Sequence, residues 1–434
     1  MHAEDYQRCL DYLYGLQKFG IKFGLSATAH LLKRLGNPHR NLNFIHIAGS
    51  NGKGSVGAMI SSILTEAGYR VGYYTSPHLV DFTERFRIND HDISRDRVVE
   101  LFNKVREHIV EEEPPTFFEM VTAMGLLYFA QEEVDWAIME VGMGGRLDAT
   151  NVIHPKICLI TSLSLEHKEY LGSTLTAIAR EKAGIIKKGV PVVTGVKQPS
   201  ALAVIKTKCS TEGCRLWQYK KDFRVRKRRQ GVFDYYGHEW RMKSLELPLI
   251  GDHQIYNAGL ALAVLEVLSR ENRIFVSLDD VINGLLSVEW PGRLEIVERN
   301  PMVVLDGAHN PAGAEALRHG LEKEFRYKNL HLIIGIMNDK DCAGILKRLL
   351  PIADSVIFTR INYERAADPE RLRALARPYH SRLYVIPDVL SALNQARNLA
   401  SRDDLICIAG SLYLVGEVKS IYMNGTLPNL RIAM

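Results

Sequence analysis

Phe44-Ile45-His46-Ile47-Ala48-Gly49-Ser50-Asn51-Gly52-Lys53-Gly54-Ser55 runs an apolar strand into a glycine-rich turn carrying a lysine, and continues into a helix-compatible stretch, Val56 to Ala67. Strand, loop and helix in that order make a polyphosphate cradle, because loop N–H groups and the positive end of the helix dipole converge on one point. Gly49, Gly52 and Gly54 allow close backbone approach and positive φ. Lys53 brings a point charge to the outer phosphates, and Ser55 a hydroxyl near metal and phosphates. The long spacing G-x-x-x-x-G-K-[ST] is not met, because Ile47 stands where its first glycine would fall. The shorter form G-[ST]-x-G-K-[GT]-[ST] fits Gly49 to Ser55. The reading is a nucleotide site in which Asn51, Gly52, Lys53, Gly54 and Ser55 hold ATP.

Working outward, the 434 residues suggest two or three domains at roughly 100–200 residues each. Hydrophobic residues make up 46% and charged residues 24%, which suits a globular protein with a full core. The net charge of +5 is compatible with acidic small-molecule substrates and selects no partner by itself. Six cysteines lack the paired spacing of a zinc site, and Cys158 and Cys407 sit inside apolar runs, which fits reduced thiols in a cytoplasmic protein. Met1 to Asp5 has neither the basic nor the apolar part of a secretion signal. No apolar run approaches the roughly 20 residues needed to span a bilayer.

The pattern is alternating strand and helix. Residues 4–36 read as helical, with Leu10, Leu13, Leu16 and Phe19 recurring at three-residue steps. Strands follow at Phe44–Ala48, Val71–Thr75, Trp136–Gly142, Ile157–Thr161 and Val190–Val196, and a loop at Asp81–Asn89. Helices are expected from Ser94, over Phe118–Phe129, Thr174–Ala183 and Asn257–Arg270. From Trp217 to Leu249 shorter alternating runs suggest an antiparallel hairpin with its turn at Asp234-Tyr235-Tyr236-Gly237. After Trp290-Pro291-Gly292-Arg293 a second alternation begins, with strands from Met302, His331, Ser355, Arg382 and Leu405. The expected architecture is α/β: a phosphate-loop domain with a doubly wound, mostly parallel sheet over residues 1–292, then a smaller Rossmann-like α/β domain over 293–434. The run Arg224-Val225-Arg226-Lys227-Arg228-Arg229 reads as a solvated strand face in preference to a nucleic-acid patch, because no stacking-aromatic motif accompanies it.

Active residues of open α/β sheets gather at the carboxyl ends of the strands. Ser76, Glu140 and His167 stand there. Glu140 ends an apolar strand, so it needs a partner: either a Mg²⁺ ion, or Arg146 or a backbone N–H. His167 is either a ligand or an ordinary loop histidine. Lys182 reads, from its position alone, as a helix lysine.

These residues lie inside longer words. They are Ser76-Pro77-His78-Leu79 with Glu84-Arg85, Phe117-Phe118-Glu119 with Thr122, Glu140 to Asn151, Glu181 to Lys187, Gly251-Asp252-His253-Gln254 with Asn257-Ala258, Pro291 to Glu295, Leu305 to Pro311, and Gly410 to Tyr413. In order and spacing the chain resembles, over nearly its whole length, the folylpolyglutamate synthase/dihydrofolate synthase family of the Mur ligase superfamily. Ser50 departs from it, where the family usually has Thr. The resemblance implies an ATP-dependent ligase joining L-glutamate to dihydropteroate, or to the γ-carboxylate of a folate, through an acyl phosphate. It implies two Mg²⁺ ions held by Ser76, Glu140 and His167, and carboxylation of Lys182 to a carbamate. Lys53, Lys182 and His309 would be catalytic. Asn257, Arg293, Asp306 and His309 would contact ATP, the last two on domain closure. Thr116, Phe117, Phe118 and Glu119, with Leu147, Asp148 and Ala149, would line the pterin site. A monomer acting on small molecules, without nucleic acid or membrane, is expected. Two other readings stand beside it: another amino-acid ligase of the superfamily, and a nucleotide-binding ATPase that ligates nothing.

Overall fold

The computed structural model describes residues 3–20, 24–110 and 112–424. The chain forms two compact units. One is built from residues up to Arg228 with Val232–Leu247 and Ile255–Val288; the other comprises Arg229–Gly231, Pro248–Gln254 and the chain from Glu289 on. Among the described residues no helix is long and apolar enough to cross a membrane.

The first unit carries an eight-stranded sheet. Its strands are β1 (Phe44–Ala48), β2 (Val71–Tyr74), β3 (Phe86–Ile88), β4 (His91–Asp92), β5 (Trp136–Glu140), β6 (Ile157–Ile160), β7 (Val192–Thr194) and β8 (Leu216–Gln218). They lie in the order β4-β3-β2-β5-β1-β6-β7-β8, and only β3 and β4 run antiparallel to their neighbours. β1 lies between β5 and β6, with Ile45 paired to Ile138 on one side and Ile157 on the other. Neither neighbour is adjacent in sequence, so the carboxyl end of β1 opens at a switch in strand order, where such sheets bind ligands. All five residues of β1 are buried, because both sheet faces are covered.

Helix Lys53–Glu66 leaves the phosphate loop and is buried continuously from Ser55 to Leu64. It is enclosed by the sheet and by helix Leu278–Ser287. Gly284 permits the close approach: a Cβ there would sit 2.5 Å from the Ile63 Cα. Ser62 Oγ donates to the Gly284 carbonyl at 2.8 Å. The amino-terminal stretch forms helix Ala3–Gly15, a 3₁₀ turn over Leu16–Phe19 and helix Ser26–Arg34. Leu13 and Leu16 are buried, while the Phe19 side chain lies outside the described residues.

Two expectations of local structure are corrected. Asp81–Asn89 is not a plain loop: Phe82–Arg85 is a 3₁₀ turn capped by Asp81, and β3 follows it. Asp234–Gly237 is not a turn, since Val232–Tyr236 is a strand. Asp234 lost its turn role to pairing. Its carboxylate accepts from Arg228 Nε at 2.7 Å and from Tyr236 hydroxyl at 2.9 Å. The strands here are β9 (Arg224–Arg229), β10 (Val232–Tyr236) and β11 (Arg241–Glu246), in the order β11-β10-β9. The basic run is therefore an edge strand with mostly exposed side chains.

The second unit holds β12 (Glu295–Arg299), β13 (Met302–Leu305), β14 (Leu330–Ile334), β15 (Ser355–Phe358), β16 (Leu383–Val385) and β17 (Leu405–Ala409), in the order β12-β13-β17-β14-β15-β16. The strands from β13 to β16 are parallel, and β12 is an antiparallel edge.

Candidate active site

Gly49 leaves β1 where a Cβ would meet the Thr161 Oγ1 at 1.9 Å, so only glycine passes beside β6. Gly52 turns the chain into the helix at φ 88°, and a Cβ there would lie 2.6 Å from the Asn257 Oδ1. The loop between them is clamped from the end of β6. Ser50 N donates to the Ser162 carbonyl at 2.8 Å, and Asn51 N to the Ser162 Oγ at 3.2 Å. Thr161 and Ser162 hydroxyls donate to the Asn51 carbonyl at 2.8 and 2.9 Å. Asn257 thus stands against the loop.

Four charged side chains converge on this loop. Lys53 Nζ donates to the Gly49 carbonyl at 3.1 Å and lies 3.8 Å from Glu140 Oε1. Lys182 Nζ donates to the same carbonyl at 3.0 Å and pairs with Glu166 Oε1 at 2.9 Å. Glu140, 4% exposed, accepts the Thr75 hydroxyl at 2.5 Å. Arg146 is not its partner, because Arg146 pairs with Glu181 at 3.0 Å. Burial alone would raise the Glu166 carboxyl, but Lys182 and Lys53 outweigh it and hold the group at about 2. Burial pulls the Lys182 ammonium below its ordinary range; Glu166 opposes this and Lys53 adds to it.

Ser76 follows Thr75, and His167 follows Glu166 in the left-handed conformation at φ 45°. Both therefore border the cluster through their chain neighbours. Among the described residues no three His, Cys, Asp or Glu side chains gather closely enough to hold a metal. The set near the loop is a carboxylate, a hydroxyl and an imidazole. The carboxylate and the hydroxyl suit Mg²⁺, a hard cation that takes one or two protein oxygen ligands and completes its shell with water and phosphate oxygens; the imidazole is the less usual donor for it.

The first expected pterin segment, Thr116–Glu119, packs against the chain just ahead of the second, Leu147–Ala149. Phe118 packs on Gly142, where a Cβ would fall 2.4 Å from its ring. Asp148 Oδ2 accepts Met143 N at 2.9 Å, folding the Gly142–Ala149 segment back on itself. Thr116 and Glu119 form a reciprocal cap on helix Phe117–Gln131, with Thr116 N donating to Glu119 Oε2 at 2.7 Å. Phe117 stacks on Tyr14 at 5.7 Å and lies under the Arg85 guanidinium at 5.2 Å. Leu147 is half-buried and Ala149 buried. Glu84 accepts the N–H groups of Leu79, Val80 and Asp81 at 2.6–2.9 Å and closes the Ser76–Asp81 loop.

In the second unit Asp306 directly follows β13. Its oxygens accept Leu294 N and Ala308 N, each at 2.9 Å. Burial raises its carboxyl, and Arg293 opposes the shift. His309 Nδ1 donates to the Gly307 carbonyl at 2.9 Å, which leaves Nε2 as the unprotonated nitrogen of the neutral ring. Arg293 Nη1 donates to the Gly292 carbonyl at 2.9 Å.

Sequence reasoning assigned no role to Thr75, Thr161, Ser162 and Glu166. The strand-end rule that selected Ser76 and His167 covers all four.

The fold and this cluster define a Mur-type ligase: residues 47–265 match the Mur ligase middle domain, and residues 292–412 match the Mur ligase, glutamate ligase domain. The dihydrofolate synthase/folylpolyglutamate synthase of Bacillus subtilis is 36% identical over 425 residues, covering 95% of this chain and 98% of that protein. The Mycobacterium tuberculosis folylpolyglutamate synthase complexed with ADP and AMPPCP superposes with a TM-score of 0.90 at 33% identity, over 96% of this chain and 99% of that one. Escherichia coli FolC in complex with DHPP and ADP gives 0.89 at 30% identity, over 96% and 98%. The chain belongs to the dihydrofolate synthase/folylpolyglutamate synthase family.

Proposed function

We propose that the chain is an ATP-dependent ligase that joins L-glutamate to dihydropteroate and to the γ-carboxylate of folates. The observation carrying this reading is the convergence of Lys53, Lys182, Glu140 and Glu166 on the phosphate loop, in a chain of this family. The loop N–H groups and Lys53 bind the outer phosphates of ATP and offset charge as the terminal phosphoryl group passes to the acceptor carboxylate. The resulting acyl phosphate is attacked by the glutamate amine, giving the amide and phosphate. Ser76, Glu140 and His167 are the residues that would hold Mg²⁺, which supplies Lewis-acid neutralisation of the phosphates when bound. Asn257, Arg293, Asp306 and His309 are proposed nucleotide contacts. Thr116 to Glu119 and Leu147 to Ala149 are the proposed pterin segments. Burial favours the neutral Lys182 amine that CO₂ needs to form a carbamate. We place the enzyme in the cytoplasm as a monomer.

The test is phosphate release dependent on ATP, Mg²⁺ and L-glutamate, run with dihydropteroate and with tetrahydrofolate. Turnover with both is expected. Turnover with neither, in folded protein that binds ATP, overturns the reading in favour of another amino-acid ligase.

A further inference from the structure

His46 sits in the middle of β1, fully buried, in an otherwise apolar strand. A buried polar side chain costs stability unless it is hydrogen-bonded. Its Nε2 lies 2.9 Å from Thr150 Oγ1. Thr150 Oγ1 in turn lies 2.5 Å from Asp148 Oδ1, which also accepts Thr150 N at 3.0 Å. Burial raises the Asp148 carboxyl, and the Thr150 hydroxyl with the Met143, Thr150 and Gly142 N–H groups opposes the shift; as the ionised group it only accepts, so it takes the Thr150 proton. The hydroxyl has one proton, and it is spent there. Thr150 therefore accepts from His46, and His46 is the neutral Nε2–H tautomer. Among the described residues its Nδ1 is buried without a partner, where a bare nitrogen is tolerated better than an unpaired N–H. Burial pushes His46 down to about 3, so it stays neutral across the working pH range.

We propose that His46 is a positioning residue for recognition of the acceptor's pterin end: through Thr150 it fixes the Asp148 carboxylate and, with it, the Gly142–Ala149 segment. The proposal rests on the pterin role of Leu147–Ala149 given above. It assigns a function to a strand residue whose hydrogen bond goes to Thr150, on the acceptor side, and it separates the two ligands. Losing the relay should affect the acceptor and leave ATP alone.

The experiment compares His46→Leu, His46→Gln and Thr150→Val by KM for dihydropteroate and for ATP, with a melting curve for each. Leu removes the donor, while Gln places an amide N–H near the lost Nε2. His46→Leu and Thr150→Val should each raise the dihydropteroate KM about tenfold, the equivalent of about 1.4 kcal/mol, with ATP KM unchanged. His46→Gln should restore most of the loss. Equal changes in both KM values, or no change in folded protein, overturn the proposal. If His46→Leu fails to fold, Thr150→Val and His46→Gln carry the comparison. A second readout is independent of turnover: ¹⁵N-histidine spectra, assigned by difference against His46→Gln. These should show a non-titrating Nε2–H tautomer, and a titrating or Nδ1–H His46 overturns the relay. Should wild-type protein turn over no pterin acceptor while that tautomer is present, the failure belongs to the ligase reading, and the relay stands as a holder of the Gly142–Ala149 segment.

Discussion

Replacing Lys53 by methionine keeps most of the apolar stem and removes the charge. The structural loss follows from two contacts, the bond to the Gly49 carbonyl at 3.1 Å and the pair with Glu140 at 3.8 Å. Glu140 keeps the Thr75 hydroxyl at 2.5 Å, so its carboxylate is not abandoned. The cost is then about 1–2 kcal/mol, below that of breaking a fully buried, close pair. It lowers the melting midpoint by a few degrees. Catalysis should suffer far more. Loss of one preorganised charge at a transferring group typically costs about 10²–10³ in turnover. The assay is steady-state phosphate release with dihydropteroate and glutamate, paired with a thermal melt and calorimetric ADP binding. A large fall in kcat with a small fall in Tm supports the assignment. Turnover close to that of the wild type would refute it, because the other ammonium on the Gly49 carbonyl, that of Lys182, is already paired with Glu166.

Gly52→Ala places a Cβ 2.6 Å from Asn257 Oδ1 at a φ of 88°; backbone strain of about 1–2 kcal/mol and a weakened ATP KM are expected from kinetics and a melt. Gly284→Ala forces a Cβ to 2.5 Å from the Ile63 Cα, so the two helices must separate; a loss of about 1–3 kcal/mol in urea unfolding checks it. Asp404, buried in the second unit, is held at about 2: burial raises it, but Ser401 and Asn329 donors outweigh that. Its carboxyl is depressed, so its contribution is present above the unfolded value near 3.8 and is lost as pH falls through about 2. Asp404→Asn should therefore cost on the order of 2 kcal/mol at neutral pH and close to nothing at the acid end, read from urea titrations of both proteins across that range.

The parts legible in the sequence are those where the chain carries its own local signal. The strand, loop and helix from Phe44 to Glu66 are such a case, since apolar run, glycines and lysine are contiguous. The Thr116 cap and the Asp148 fold-back were not read from the sequence, although their partners lie within a few residues. The clamp by Thr161 and Ser162 is different. It joins residues more than a hundred positions apart, brought together only because β6 pairs with β1. Glu166 was similarly hidden, because its meaning depends on Lys182 arriving from helix Leu175–Lys182. Asp234-Tyr235-Tyr236-Gly237 misleads for the opposite reason. Asp234 and Gly237 favour turns, but the two tyrosines favour a strand, and Arg228 and Tyr236 satisfy the Asp234 carboxylate within the sheet. The antiparallel edge β12 needs its partner β13 to exist, and its Glu/Ile/Val/Glu/Arg alternation is weak alone.

The helix behind the phosphate loop has a consequence for how the first unit breathes. Buried from Ser55 to Leu64 and pinned at Ser62 to Gly284, it has no exposed face along which to fray. Its amides can exchange with solvent only when the unit opens as a whole. The loop ahead of it sits at the boundary between that slow core and the solvent. Within this unit the loop residues ahead of the helix are therefore the part expected to move, while Lys53 stays anchored in the helix's first turn.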